Sequence, residues 1–518
     1  MSAARRPAAE RNPGSVADFL LAFERSRAPF GAFLASFAAF VAIRQLLEML
    51  STRSPILMPL FLHYAAWYAA TASALIALVR LVTGEKTAAV ARSVLACYAL
   101  ILVAPIADLI IAGGKAVPMR YLAGNTRQLL VSFLTFMGGP GGSRATPGLR
   151  IESGIILIVA GAYLAVKTRS IPRTVGGTAA IYATLFLFTP MPQWTALFFR
   201  GFAVLTGVWA APGEESIGWL LFLVAVIFTV VNLRTAAPSR FRAIVRDLRP
   251  LRILHYVVLF VLGYVLYRST NRQYMALDHR VLYFVVVPLC LTGAALHAIV
   301  TNNLEDLAID RISNPDRPHV RGDIPRTTYR AIGAWALAFS LATAAAVGYW
   351  CLLLVGITAG CYFLYSATPF RLKRVPILSK LLIGTSSLAA AVLGFTAFGG
   401  NPLAFPAGYA FYFLVPFTLA ANVLDLKDEA GDRSAGIRTL PVIVGGGAAR
   451  IIIAISILGC YLCLYLILGR RLLAIPMAAL CAVHVFTVVR RRYQEHWVLA
   501  AYLIGMIALV TVLAAQLP

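Results

Sequence analysis

The chain has 518 residues, 60% of them hydrophobic and 13% charged, and its 46 Lys and Arg against 21 Asp and Glu leave a formal net charge of +25. A soluble domain carries about 25% charged residues, so this composition, with a mean hydropathy of +0.79, excludes an ordinary soluble enzyme. In so apolar a chain the basic excess marks loops on one side of a membrane, with no nucleic-acid partner. An open sheet cannot satisfy its backbone in lipid, so the expected fold class is an all-α integral membrane protein.

In chain order, the N-terminal MSAARRPAAERNPGS is polar and mixed in charge. It lacks the apolar core and cleavage site of a signal peptide, and is expected to be retained and cytoplasmic. Clear spans are predicted near 56–82, 89–112, 151–167 and 217–233, with weaker ones near 28–50 and 176–191. With Met1 and the basic stretch at 234–250 both cytoplasmic, the number of spans between them must be even, and six fits. LLVSFLTFM (129–137) is too short to cross and reads as re-entrant or interfacial. GGPGGSRATPG (138–148) reads as a flexible loop, since no P-loop lysine follows. Asp108 lies near a helix end, while Arg44, Glu48 and Arg200 are scattered. An intramembrane acid is a functional hypothesis by default, with snorkelling or pairing as the competing reading.

The polar, basic, proline-bounded RTAAPSRFRAIVRDLRP (234–250) divides the chain into 1–240 and 241–518. Beyond it, nine spans are predicted near 251–268, 281–301, 330–348, 350–366, 379–398, 405–424, 448–468, 472–489 and 497–516. Their connections alternate in charge. Arg240 to Arg252, Arg311 to Arg330, Arg371 to Lys380, Lys427 to Arg450 and Arg490 to Arg492 form the rich set, which the positive-inside rule places in the cytoplasm. An odd number of spans then leaves the C-terminus outside. Seven cysteines, including Cys460 and Cys463, read as small apolar packing. His63, His255, His297 and His484 have no ligand companions nearby and read as packing or hydrogen bonding.

Two acidic clusters close apolar segments on the cytoplasmic side. In NNLEDLAID, Asn302, Asp306 and Asp310 fall at i, i+4, i+8, one face of a helix. In DLKDEAGD, Asp425, Asp428 and Asp432 fall at i, i+3, i+7, with Gly431 expected to end that helix. Facing carboxylates repel unless a cation lies between them, and oxygen-only ligands point to a hard ion, Mg²⁺ or Ca²⁺. Mg²⁺ shares its coordination with substrate phosphates. Arg317, Arg321, Arg371, Lys373, Arg374, Lys427 and Arg438 in the same loops suit such an anion. Carboxylates, a divalent ion and basic side chains together describe a diphosphate site. Surface ion pairing explains one such cluster more simply than two on one side.

These residues resemble the UbiA superfamily of intramembrane prenyltransferases. NNLEDLAID followed by NPDRP is similar to its first motif, N-D-x-x-D-x-x-x-D with a DRP-like stretch. DLKDEAGDRSAGIRTLP is similar to its second, and YSATPFRLKR (365–374) to the Y-S-x-x-P-x-R-x-K loop between them. The resemblance covers about 245–518, with nine helices in the family's order, and does not reach 1–240. Asn303 stands where many members have Asp, and Glu305 is an acid the pattern does not require. The resemblance implies a prenyl diphosphate donor gripped through Mg²⁺ held by Asn302, Asp306, Asp310, Asp425, Asp428 and Asp432. It implies catalytic roles for Asp306, Asp310, Asp428 and Asp432, and diphosphate contacts from the loop cations with Tyr365 nearby. A lipophilic or aromatic acceptor is expected, of quinone-precursor or glycerol-lipid type. The rival reading is a transporter or lipid translocase using the acids as a cation site, which gives the YSATPFRLKR loop no role.

Overall fold

The computed structural model describes residues 16–52, 58–114, 120–139, 144–206, 213–271, 278–490 and 492–517. The N-terminal stretch 1–15 lies outside the described residues, and so does part of the glycine-rich loop. The chain forms two compact units, Met1–Pro238 with Ala276–His279 and Ser239–Met275 with Arg280–Pro518. Among the described residues both are helical, and an isolated bridge joins Gly138 to Arg144. Among the described residues fourteen helices are long and apolar enough to cross a membrane, five in the first unit and nine from Pro250 onward. The chain is a multi-pass integral membrane protein.

The first unit runs α1 (Val16–Arg25), α2 (Phe30–Thr52), α3 (Met58–Thr83), α4 (Thr87–Cys97), a 3₁₀ turn, α5 (Val103–Ile111), α6 (Thr126–Leu134), α7 (Pro147–Thr168), α8 (Ile171–Leu187), α9 (Met191–Thr206) and α10 (Glu214–Ala236). Asn125 and Gln128 form a capping box that starts α6, a helix far too short to span. The end of the glycine-rich loop is ordered by a cap: Thr146 accepts from Leu149 N, and Pro147 takes the first position of α7. α8 and α9 bend by 68° across their break. Pro190 and Pro192 lie at that break, where their rings disfavour a continuous helix. As one bent pair they make a sixth candidate span. Small residues let α3 and α10 approach, Ala70 and Ala74 packing against Leu221 and Ala225.

This unit gathers Arg44, Glu48 and Asp108 from the scattered charges, whereas Arg200 on α9 is exposed. Arg44 on α2 lies 3.8 Å from Glu48 and 3.5 Å from Glu152 on α7, and donates to the Ile101 carbonyl at 2.7 Å. Glu152 also accepts from Ala104 N at 3.1 Å, and Asp108 accepts from Gly148 N at 2.6 Å. A Cβ on Gly148 would meet the Ala104 carbonyl at 2.2 Å, so glycine lets α7 reach α5 there.

The second unit runs α11 (Pro238–Asp247), α12 (Pro250–Thr270), α13 (Tyr283–Glu305), α14 (Leu307–Ser313), α15 (Pro318–Arg321), α16 (Arg326–Val347), α17 (Tyr349–Ser366), α18 (Pro376–Ala397), α19 (Ala407–Tyr412), α20 (Thr418–Ala420), α21 (Glu429–Ser434), α22 (Leu440–Val444), α23 (Gly446–Leu468), α24 (Ala474–Val489) and α25 (Glu495–Ala514). α12 and α18 pack backbone to backbone. A Cβ on Gly263 would fall 1.8 Å from the Ala391 carbonyl, and one on Gly394 1.8 Å from that of Phe260. Between α19 and α20 a π-turn spans Phe413–Phe417 around Pro416, whose missing N–H disrupts the regular ladder. A 3₁₀ turn, Ala421–Asp425, then carries that broken span into the second acidic motif.

Candidate functional site

The two acidic motifs differ in build from the helices expected for them. α13 ends at Glu305 and Asp306 lies in the break before α14, with φ −100° and ψ 15°. The i to i+4 ladder nevertheless persists, since Asp306 N bonds Asn302 O at 2.9 Å and Asp310 N bonds Asp306 O at 2.8 Å. Asn302, Asp306 and Asp310 therefore still share a side. In the second motif Asp425 ends a 3₁₀ turn, Asp428 caps α21, and Asp432 lies inside it. Gly431 lies within α21, whose last residue is Ser434. The chain turns only at Gly436, with φ +68°. The sequence placed the helix stop too early because a glycine is tolerated inside a helix when its neighbours pack.

Asp306 and Asp310 of the first motif each meet a base. Arg317 makes a two-pronged contact with Asp310 at 2.8 and 2.7 Å, joined by His319 at 3.0 Å and Asn314 at 2.9 Å. Burial opposes ionisation of Asp310, but the His319 bond and the Arg317 charge outweigh it and hold the carboxyl below its usual range. Lys373 donates to Asp306, and Arg371 reaches the same oxygen at 3.0 Å. Arg371 does so from a left-handed backbone, φ 40°, a conformation a non-glycine residue holds only under local constraint. Ser366 donates to Asn302 Oδ1 at 3.1 Å. The YSATPFRLKR loop thus ties itself to the first motif through Ser366, Arg371 and Lys373.

The second motif crowds its carboxylates. Lys380 donates to Asp425 Oδ1 at 2.6 Å, while the buried Oδ2 has no hydrogen-bond partner. Burial raises the pKa of Asp428. Burial and then the charges of Asp425 and Asp428 push Asp432 up to about 7. Crowded carboxylates with an orphaned buried oxygen fit a cation. Among the described residues no three His, Cys, Asp or Glu groups converge closely enough to hold a metal alone. A bound ion would take one or two of these carboxylates and complete its shell with water and phosphate oxygens, as Mg²⁺ does.

The two motifs share one cavity of about 350 Å³. Asn302, Asp306, Asp310, Asp425, Asp428 and Asp432 are on its wall, with Arg317, Tyr365, Lys373 and Lys427. Four of the predicted diphosphate contacts are not on that wall: Arg371, which is turned to Asp306, and three others. Arg321 pairs with Asp323 at 2.6 Å in an exposed turn, and Arg374 and Arg438 are exposed. None of the three lines the cavity.

The structure adds residues that the sequence reading left as topology signals or packing. Arg249 and Arg252, where α12 begins, line the cavity, and Arg252 pairs with Glu495 at 2.5 Å. Burial and the neighbouring Arg252 and Arg317 lower Arg249 to about 10. Guanidiniums crowded to that degree favour an anion among them. His255 also lines the cavity, held between Ser387 at 3.0 Å and Tyr502 at 2.9 Å. The available signal was position: Arg249, Arg252 and His255 are at i, i+3, i+6 at the membrane edge. Past this polar end the wall turns aliphatic, with Ile457 and Leu464 on α23, Met477 and Leu480 on α24, and Leu509 and Val512 on α25.

Residues 257–504 match the UbiA prenyltransferase family. The second unit belongs to that family. The UbiA unit is similar to the homogentisate phytyltransferase of Synechocystis sp., at 34% identity over 180 residues, 33% of this chain and 58% of that protein. It is 30% identical over 170 residues to the digeranylgeranylglyceryl phosphate synthase of Methanopyrus kandleri, 32% of this chain and 57% of that one. The chain thus spans rather more than half the length of these relatives. Among solved structures, a UbiA homologue from Archaeoglobus fulgidus bound to GPP and Mg²⁺ aligns over 53% of this chain and 99% of its own, at 19% identity and a TM-score of 0.43.

Proposed function

We propose that the UbiA unit transfers a prenyl group from a prenyl diphosphate to a lipophilic or aromatic acceptor, with Mg²⁺ ions shared among Asn302, Asp306, Asp310, Asp425, Asp428 and Asp432. The observation that carries the reading is a single cavity with crowded acids and bases at one end and an aliphatic lining beyond it. A diphosphate with a long hydrocarbon tail has that division of chemistry. A translocated cation needs no aliphatic lining.

The second-motif carboxylates and Asn302 provide hard oxygen ligands. Bound Mg²⁺ would supply charge neutralisation at the departing diphosphate. Lys373, Arg317, Arg249 and Arg252 are set around the same end to bind diphosphate oxygens, and Tyr365 stands on that wall. The donor C1–O bond breaks with its electron pair leaving on the diphosphate, so negative charge grows where these cations are already fixed. Preorganised stabilisation of this kind is usually the largest catalytic contribution. The acceptor then bonds to C1 and gives up a proton to a carboxylate lining the cavity. The site is cytoplasmic in this reading, with the N-terminus on the same side and the C-terminus outside, because the site residues are in the basic loops.

The relatives named above point to an acceptor of quinone-precursor or glycerol-lipid type. The test is diphosphate release by the detergent-solubilised full chain. Geranyl, farnesyl or geranylgeranyl diphosphate is offered with Mg²⁺, and homogentisate or a glyceryl phosphate lipid serves as acceptor. Release that requires donor and divalent ion together is expected. No release and no donor binding across the series would overturn the proposal.

A further inference from the structure

The residue where this chain departs from its family's pattern is the centre of a buried network. Asn303 is fully buried, and its amide nitrogen donates to both oxygens of Asp247 at 3.2 and 3.0 Å and to the Tyr329 hydroxyl at 2.9 Å. The Tyr329 hydroxyl donates in turn to Asp247. On its other side the amide oxygen accepts from Arg249 at 3.2 Å and from Arg317 at 3.4 Å. Only one orientation of the amide satisfies these partners, nitrogen toward the carboxylate and oxygen toward the guanidiniums. Asn303 therefore relays between an acid and two arginines. Both arginines line the cavity, and Arg317 is the one that grips Asp310.

Asp247 is the last residue of α11 and only 6% exposed. Nothing in the acidic motifs includes it, and it does not line the cavity. An Asp at 303 would set two carboxylates against each other in a buried place. An apolar residue there would leave Asp247 and both arginines without their shared partner.

We infer that Asp247 is a positioning residue for the diphosphate site, acting through Asn303 to fix Arg249 and Arg317, an inference that rests on the proposed donor. Asn303 is neutral because Asp247 supplies the carboxylate. The helix that opens the second unit is in this way part of the site's support.

A reciprocal exchange tests this. The variants are Asp247→Asn, Asn303→Asp and the double exchange, each measured in the detergent-solubilised full chain. The readouts are melting temperature, affinity for inorganic diphosphate without added metal, and donor KM against kcat. Charge-assisted contacts set the scale, so each single change should weaken diphosphate affinity by about tenfold or more and raise donor KM in step. The double exchange restores a carboxylate–amide pair with the charge now at 303, and should recover most of the loss. A purely structural pair would lower melting without this split between KM and kcat. Should Asn303→Asp fail to fold, Tyr329→Phe removes one hydrogen bond from Asp247 and should shift diphosphate affinity in the same direction by a smaller factor. Variants that bind diphosphate as the unaltered chain does, or a double exchange no better than Asn303→Asp alone, would overturn the inference. An unaltered chain that binds no diphosphate either with or without Mg²⁺ would overturn the donor reading beneath it.

Discussion

Both units bury charge, and they use it differently. In the first, Glu152 accepts from a backbone N–H of the 97–104 segment and lies beside buried Arg44, while Asp108 accepts from the start of α7. These acids join α2, α5 and α7 by binding backbone groups and a single buried base. In the second unit the acids and bases come from loops and broken helix ends around one cavity, and Asp425, Asp428 and Asp432 crowd together with one buried oxygen left unpartnered. A charge that fastens helices is satisfied within the fold. A charge that serves a ligand is held in place by its neighbours and left incompletely compensated. Buried charge alone does not distinguish the two uses, nor does facing a cavity, since Glu152 lines one in the first unit; what differs is the crowding of Asp425, Asp428 and Asp432 against one another.

The comparison breaks most visibly at the second motif. Asp428→Ala and Asp432→Ala should each lower diphosphate release by about 100-fold or more, the scale of removing one preorganised electrostatic group. Melting followed by tryptophan fluorescence should stay near that of the unaltered chain. Either variant turning over at the normal rate would end the cation-site assignment.

The opposite signature belongs to the first unit. Glu152→Ala leaves Arg44 buried beside a lost partner and should destabilise the fold by about 3–5 kcal/mol, with the turnover of the surviving folded fraction unchanged. Converting both residues together, Arg44→Met with Glu152→Leu, should regain much of that stability. If Glu152→Ala instead removed activity at full stability, the first unit's charges would belong with the second's.

Adjacent cations sharpen the contrast on a finer scale. Lys373→Gln removes a buried charge-assisted contact and should weaken donor binding or slow ionisation by about tenfold or more. Arg374→Gln, one residue on but exposed, should change either by less than about twofold, as expected for an isolated surface charge. Equal effects would mean that the loop acts by net charge alone. The smallest change is expected of Glu305→Gln, whose side chain does not line the cavity. Donor kinetics should move by less than about twofold, and a larger loss would add Glu305 to the cation site.

The sequence by itself determined the solvent this protein lives in, the all-helical class and the position of nearly every span, because hydropathy over about 20 residues is a local property that lipid reads directly. It also revealed both acidic motifs and the YSATPFRLKR loop, since each is a contiguous pattern. Only the tertiary structure decided which charges meet. Lys373 reaches Asp306 across 67 residues, Lys380 reaches Asp425 across 45, and Asn303 reaches Asp247 across 56. No periodicity encodes such pairings, for they follow from how helices cross, as where α12 and α18 meet backbone to backbone at Gly263 and Gly394. The same holds for Lys373 and Arg374. They are neighbours in sequence, but the tight turn at Leu372–Arg374 sends one inward and leaves the other in the open.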